Sequence, residues 1–331
     1  FGQKDATMVL VSRAVSQGLR SGFCWGRCAS TVAQDVGASE IKTSGSSGCV
    51  LVSTDSAGVA TVCLNRPDKL NALDMDMFTS IRDAARQLQS MPGVRAVVLK
   101  GEGKAFCAGL DIKSVMSNPL NASRLLDRPQ GKIANLAQDV AFLWRTLPVP
   151  VIAAVHGICF GGGLQIALGA DFRFAHPEAS LSVMEAKWGL VPDMSGSVLL
   201  RELVSMDLAK ELTMTARVID GRQAKDYGLV SHLAEDPEEA ARKLALEIAK
   251  RSPDAVAGAK QLFNQTWTVP VPEALRIETE IQRKLLIPPL QNTMAAASIG
   301  MKLPVQLGFK DRQGHWRGAE ESDADAGNPT A

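Results

Sequence analysis

Two β-prone runs, Val50 to Ser53 and Val59 to Asn65, flank a Ser56-Ala57-Gly58 turn, and this pattern predicts a hairpin. Beyond it, Asp74 can cap a helix whose apolar positions Met77, Ile81, Ala84, Ala85 and Leu88 recur at helical spacing. Val94 to Leu99 reads as a buried strand, followed by Gly101 and Gly103. Ile133, Leu136, Val140, Leu143, Trp144 and Leu147 form a helical stripe that ends before Pro148. Val151 to Val155 is a further apolar strand, Gly161 to Gly163 opens another helix, and Ser180 to Val183 gives one more short strand. From Pro237 onward the periodicity is helical throughout. Strands alternating with helices predict an α/β domain.

Composition narrows the function classes. The 331 residues are 46% hydrophobic and 21% charged, ordinary values for a globular protein, and long enough for a substantial core. Lys and Arg number 36 against 35 acidic residues, so no bulk field attracts nucleic acid or an anionic membrane. The longest central apolar run, Val149 to Val155, is too short for a membrane span. Cys24, Cys28, Cys49, Cys63, Cys107 and Cys159 contain no CxxC pair and complete no zinc pattern, and they read as reduced thiols of an intracellular protein. His156 ends a strand and reads as a packed histidine; no metal site is expected.

The first 48 residues differ in character. From Ala6 to Gln34 there is no acidic residue, while Arg13, Arg20 and Arg27 recur on one helical face among serines, with Met8 the expected start. That is the composition of an organelle transit peptide, followed by a Ser44–Gly48 linker, and it predicts the mitochondrial matrix. Residues 49–250 are expected to form the core and 251–310 a C-terminal helical region. Residues 311–331, small and acidic after Arg317, are expected to be a disordered tail.

The stretch HGICFGGGLQIALG, residues 156–169, joins the apolar strand to a helix and can present unpaired backbone N–H groups to an oxyanion. It is not a phosphate loop, because Gly163 and Leu164 replace the Lys and Ser/Thr, and not a dinucleotide loop, because Ile166 stands where glycine is required. A second glycine turn, KAFCAGLDI at 104–112, could supply a converging donor.

With LNRPDKLNAL (64–73), AAVHGICFGGGLQIALGADFRFA (153–175) and LSVMEAKWGLVPD (181–193), these segments resemble in order and spacing the crotonase, or enoyl-CoA hydratase/isomerase, superfamily, over about residues 49–310. The resemblance implies a spiral of ββα units, a C-terminal helical region that builds homotrimers or homohexamers, and an acyl-CoA substrate, with no cofactor beyond the CoA that the substrate carries. By position it implies Leu110 and Gly162 as backbone donors to the thioester oxygen. It places Arg66, Lys69, Leu70, Ala108, Asp111 and Ile112 along the CoA, with the two cations near its phosphates.

Hydratases of this superfamily use two glutamates. The second matches Glu185; the first matches Gln165, which cannot exchange a proton and is expected to orient the thioester or a water. Asp193, eight residues after Glu185, matches a carboxylate that dienoyl-CoA isomerases set opposite the glutamate. The motif is therefore closest to isomerase-like members, which shift double bonds through an enolate with Glu185 and Asp193 as the acid/base pair. Two alternatives stay open: a hydratase using Glu185 alone, and a catalytically silent subunit that keeps the fold.

Overall fold

The computed structural model describes residues 39–42, 48–286 and 290–316. The expected transit peptide, apart from residues 39–42, and the tail beyond 316 lie outside them. Ser39–Lys42 (β1) pairs antiparallel with Val50–Thr54 (β2), so a strand stands within the stretch read as leader and linker. The predicted hairpin is β2 with Val59–Leu64 (β3), registered Val52 to Val62. Asp74 accepts a hydrogen bond from the Met77 N–H at 2.9 Å and starts Met75–Ser90 (α1), which buries the expected apolar stripe.

The chain then winds as a spiral. Ala96–Gly101 (β4) is followed by Ala105–Cys107 (β5), Ile112–Val115 (α2), Leu120–Leu126 (α3) and Leu136–Thr146 (α4). Next come Val151–Val155 (β6), Ile158–Phe160 (β7) and Gly162–Leu168 (α5), and then Phe172–Ala175 (β8) and Ser180–Ser182 (β9). Gly196–Leu200 (α6), Met206–Thr215 (α7), Ile219–Asp220 (β10), Gly221–Asp226 (α8) and His232–Leu233 (β11) complete it. Each turn lays one strand in a seven-stranded sheet, ordered β1-β2-β3-β4-β6-β8-β11, and the next in a four-stranded sheet, ordered β10-β9-β7-β5. That is the ββα spiral the resemblance implies.

The large sheet is parallel from β3 to β11 and covered on both sides, which is why its strands read as unbroken apolar runs. Val97, Leu99, Val151 and Ala153 face the main core with α1, α4 and α5. Their neighbours Ala96, Val98, Ile152 and Ala154 face Pro237–Ala249 (α9) through Ala241 and Ala245.

Two boundaries differ from expectation. α4 begins at Leu136, not Ile133, because Asn135 and Gln138 form a reciprocal capping box, and Ile133 is exposed ahead of it. Within the residues expected to be tail, Arg312 and Trp316 are buried, Trp316 against Ala257, Ile277 and Ile281. These belong to Pro253–Thr266 (α10) and Val271–Leu286 (α11), which with Gln291–Gly300 (α12) make the C-terminal helical region. The buried Lys260 ammonium anchors α10 to the core, donating to the Trp144 and Val149 carbonyls and pairing with Asp171 at 2.6 Å. Among the described residues no helix is long and apolar enough to cross a membrane, and no cluster of His, Cys, Asp or Glu is placed to hold a metal ion.

Candidate active site

The small sheet positions the candidate site. β5, β7 and β9 run parallel side by side, so the segments that follow them leave at the same edge: the 108–111 turn, the 161–163 turn, and Met184–Glu185. Ligands of parallel sheets gather at that carboxyl edge. The first two turns abut. Gly109 has φ +89°, and a Cβ there would stand 2.7 Å from the Phe160 carbonyl oxygen and 3.6 Å from the Gly162 nitrogen.

Leu73 fixes the first turn from both sides of Leu110. Its N–H donates to the Gly109 carbonyl at 2.8 Å, and its carbonyl accepts from the Asp111 N–H at 2.9 Å. The Leu110 N–H is left without a partner among the described residues. Gly162 is the first residue of α5, where an N–H has no intrahelical acceptor, and it too has no other acceptor among the described residues. Two unengaged donors on touching turns are the arrangement an enolate oxygen needs.

Glu185 opens a 3₁₀ turn, Glu185–Trp188, with its carboxyl turned inward and buried. Its Oε1 lies 3.2 Å from where a Cβ on Gly161 would stand, beside the glycine turn. The Gln165 amide lies fully inside the protein. Its Oε1 accepts from the Met194 N–H at 2.9 Å and the Gly196 N–H at 3.0 Å, which leaves Nε2 to donate to Glu185 Oε1 at 2.5 Å. Both backbone groups are donors, so the amide can point only one way. Its oxygen is thus occupied by backbone, and Gln165 holds Glu185 and the 193–196 loop, a different task from the orientation of thioester or water expected from sequence.

Glu185 Oε2 is buried with no hydrogen-bond partner among the described residues. Burial lifts the Glu185 carboxyl above the usual carboxylate range; hydrogen bonds from its own backbone N–H and from Gln165 pull it down, and the Asp193 charge adds to the rise. Asp193 is therefore near enough to be felt. It is more exposed, and partial burial raises its own carboxyl as well. The structure brings Leu110, Gly162, Gln165, Glu185 and Asp193 to one edge of one sheet.

The expected CoA-binding residues divide. The Arg66 guanidinium is engaged within the chain, pairing with Asp74 at 3.0 Å and Asp111 at 3.5 Å and donating to the Ala72 carbonyl at 2.5 Å. It braces the loop against the 110–112 turn, and so does not stand free for a phosphate. Asp111 is held by that pair and by capping α2 through the Ser114 N–H. Lys69 is exposed and makes no ion pair among the described residues. Leu70, in the left-handed region at φ +51°, accepts the Ala108 N–H at 2.9 Å, and Ile112, half-buried, begins α2.

Sequence reasoning missed Asn71. It is fully buried at φ +56°; its Nδ2 donates to the Glu102 and Ala105 carbonyls and its Oδ1 accepts the Arg66 N–H. One side chain thereby ties the 66–72 loop to β5. Its place after Leu70 in a turn of polar residues was the available signal. Cys107, beside the turn, is no nucleophile: burial pushes its thiol up to about 12. His156 holds the Gly103 carbonyl at 3.0 Å, a structural contact.

A family model described as enoyl-CoA hydratase/isomerase matches residues 54–288. The chain is 34% identical over 247 residues to the mitochondrial methylglutaconyl-CoA hydratase of Mus musculus, covering 72% of this chain and 76% of that protein. It is 32% identical over 260 residues to the peroxisomal Delta(3,5)-Delta(2,4)-dienoyl-CoA isomerase of Arabidopsis thaliana, covering 76% and 93%. Among solved structures, a putative enoyl-CoA hydratase from Streptomyces coelicolor A3(2) superposes with a TM-score of 0.70 at 33% identity over 79% of this chain and 94% of that one. An enoyl-CoA hydratase from Bacillus anthracis gives 0.71 at 28% identity, over 79% and 99%.

Proposed function

The chain belongs to the enoyl-CoA hydratase/isomerase family, which acts on CoA thioesters, and from that premise we propose that it shifts double bonds in unsaturated fatty acyl-CoA. In this reading the Leu110 and Gly162 N–H groups receive the thioester oxygen as it becomes an enolate, which makes the adjacent chain acidic. One carboxyl of the Glu185–Asp193 pair takes a proton from the acyl chain and the other returns one at a distant carbon. Bonds move, no atom is gained, and no cofactor is needed beyond the substrate's own CoA.

The observation that carries this reading is the pair itself. Two carboxyls with raised affinity for protons are linked through one amide: Gln165, at the position a second hydratase glutamate would fill, bonds Glu185 and the N–H of the residue after Asp193, beside the unengaged N–H donors. The experiment is conversion of a 3,5-dienoyl-CoA to its 2,4-isomer by the purified protein. Glu185→Gln is expected to lower the rate by about 10²–10⁴-fold, the usual worth of a positioned acid/base. An unchanged rate would overturn the assignment.

A second reading is favoured by the methylglutaconyl-CoA hydratases among the relatives: water addition with Glu185 as the sole acid/base. It requires turnover of enoyl-CoA that is indifferent to Asp193→Asn. We also propose a mitochondrial location, which the mitochondrial names of those relatives and the Arg-rich, acid-free leader support.

A further inference from the structure

We infer that Met194 selects isomerisation over hydration by occupying the place where a reacting water would stand; the inference rests on the isomerase reading. Gly162, the proposed enolate donor, is closed in by two apolar side chains. A Cβ on it would lie 2.6 Å from Met194 Sδ, 3.1 Å from Met194 Cε and 2.9 Å from Leu73 Cδ1, so the thioether and the leucine fill the room that a methyl group would take. Gly161, its neighbour, faces Glu185 Oε1. Met194 therefore packs against Gly162, the chain neighbour of the glycine that faces Glu185, and it is itself buried.

The thioether is held there by its own backbone. The Met194 N–H donates to Gln165 Oε1, and the next residue, Ser195, sits in the left-handed region at φ +66°. Ser195 Oγ donates to the Gln138 carbonyl at 3.3 Å, and the Gly196 N–H returns to Gln165 Oε1. The Gln165 amide thus fixes two neighbours with one group: Glu185 through its nitrogen and Met194 through its oxygen. Glu185 Oε2, the oxygen left to do chemistry, is sealed from solvent and has no partner among the described residues. A buried water needs two to four polar partners and room for about one water-sized sphere. Polar partners exist at Oε2 and Asp193; the volume beside Gly162 is filled by the methionine.

Hydration of an enoyl-CoA breaks a water O–H bond, joins the oxygen to the β-carbon and delivers a proton to the α-carbon. Isomerisation needs only the proton removal and return. Each passes through an enolate, hydroxylated at the β-carbon in hydration and conjugated in isomerisation, whose oxygen the same two donors can hold, so the presence of a water beside Glu185 decides between them. Met194→Ala removes Cγ, Sδ and Cε at that position and opens it to water.

The test gives wild type, Met194→Ala and Met194→Leu a 3,5-dienoyl-CoA and a 2-enoyl-CoA in isotopically labelled water and separates isomerised from hydrated product by mass. The alanine variant is expected to raise the ratio of hydrated to isomerised product by about tenfold or more, which is a shift of about 1.4 kcal/mol between the two barriers. The leucine variant, which restores the volume, is expected to keep that ratio within about threefold of wild type. Met194→Val removes less volume and carries the same expectation with a smaller shift if the alanine variant does not fold. A folded alanine variant that isomerises without added hydration overturns the inference while leaving the isomerase reading intact. A leucine variant that hydrates as much as the alanine variant also overturns it. Wild type that isomerises no dienoyl-CoA overturns the isomerase reading and this inference with it.

Discussion

Glu185 carries one tethered oxygen and one bare one, and ionising it without water has a cost that shows in stability. A carboxyl whose folded-state proton affinity is raised contributes stability that is complete at pH below its unfolded value and is lost as pH climbs through the folded value. Glu185→Gln removes that titration. The melting-temperature gap between the variant and wild type is therefore expected to move in the variant's favour as pH rises from below the usual carboxylate range to neutrality. A gap that stays constant with pH would mean that the carboxyl is not buried as described. Asp193, more exposed, is raised in the same direction. At this scale the sequence was informative where a motif names a residue, and Glu185, Asp193 and the two donors needed only their positions. It was silent on partners. Nothing in the order of residues says that Arg66 meets Asp74 and Asp111, or that both ends of Gln165 are engaged, because those contacts join segments far apart in the chain.

Among the elements, the small sheet does the positioning and was the least legible part. β5, β7 and β9 have three residues each, and β10 has two. Only β9 was expected, as Ser180 to Val183; the other runs are too short to carry a readable period, and the glycines beside them look like loop. The long strands of the large sheet and the capped α1 were legible because both faces or one stripe are continuously apolar. What the glycines do is bring backbone against backbone. A Cβ on Gly163 would overlap the Cys107 carbonyl and its side chain, so α5 can approach the β5 turn only as it stands. Gly163→Ala is expected to destabilise the fold by about 1–3 kcal/mol through overpacking, and to weaken activity further by parting the two donor turns. Denaturant unfolding alongside a turnover assay checks both; unaltered stability would contradict the close approach.

For the molecule as a whole, the spiral leaves a helical region with apolar side chains facing outward. Phe263, Trp267, Val271 and Leu275 on α10 and α11 are each more than half exposed, at 59%, 63%, 71% and 56%. Exposed apolar residues in such number suit a subunit contact, and the homotrimer or homohexamer implied by the family resemblance is the expectation to test on them. Light scattering of the purified protein is expected to give a mass of three or six chains, and Trp267→Asp is expected to shift it toward smaller species. A monomer at micromolar concentration would remove that expectation. The α/β class, the order of the main elements and the C-terminal helices were legible from periodicity. The spiral of ββα units came only from the family resemblance, and the split into two sheets only from the structure, because pairing between β4 and β6 or β5 and β7 leaves no local trace.

The central claim is that the Glu185–Asp193 pair moves a proton along an acyl chain held by the Leu110 and Gly162 N–H groups. It is tested most directly by giving a 3,5-dienoyl-CoA to wild type, Glu185→Gln and Asp193→Asn and following the 2,4-isomer. Isomerisation by wild type that falls by about 10²-fold or more in each variant is the predicted result. Hydration of a 2-enoyl-CoA by wild type, with no isomer formed and no dependence on Asp193, would contradict it.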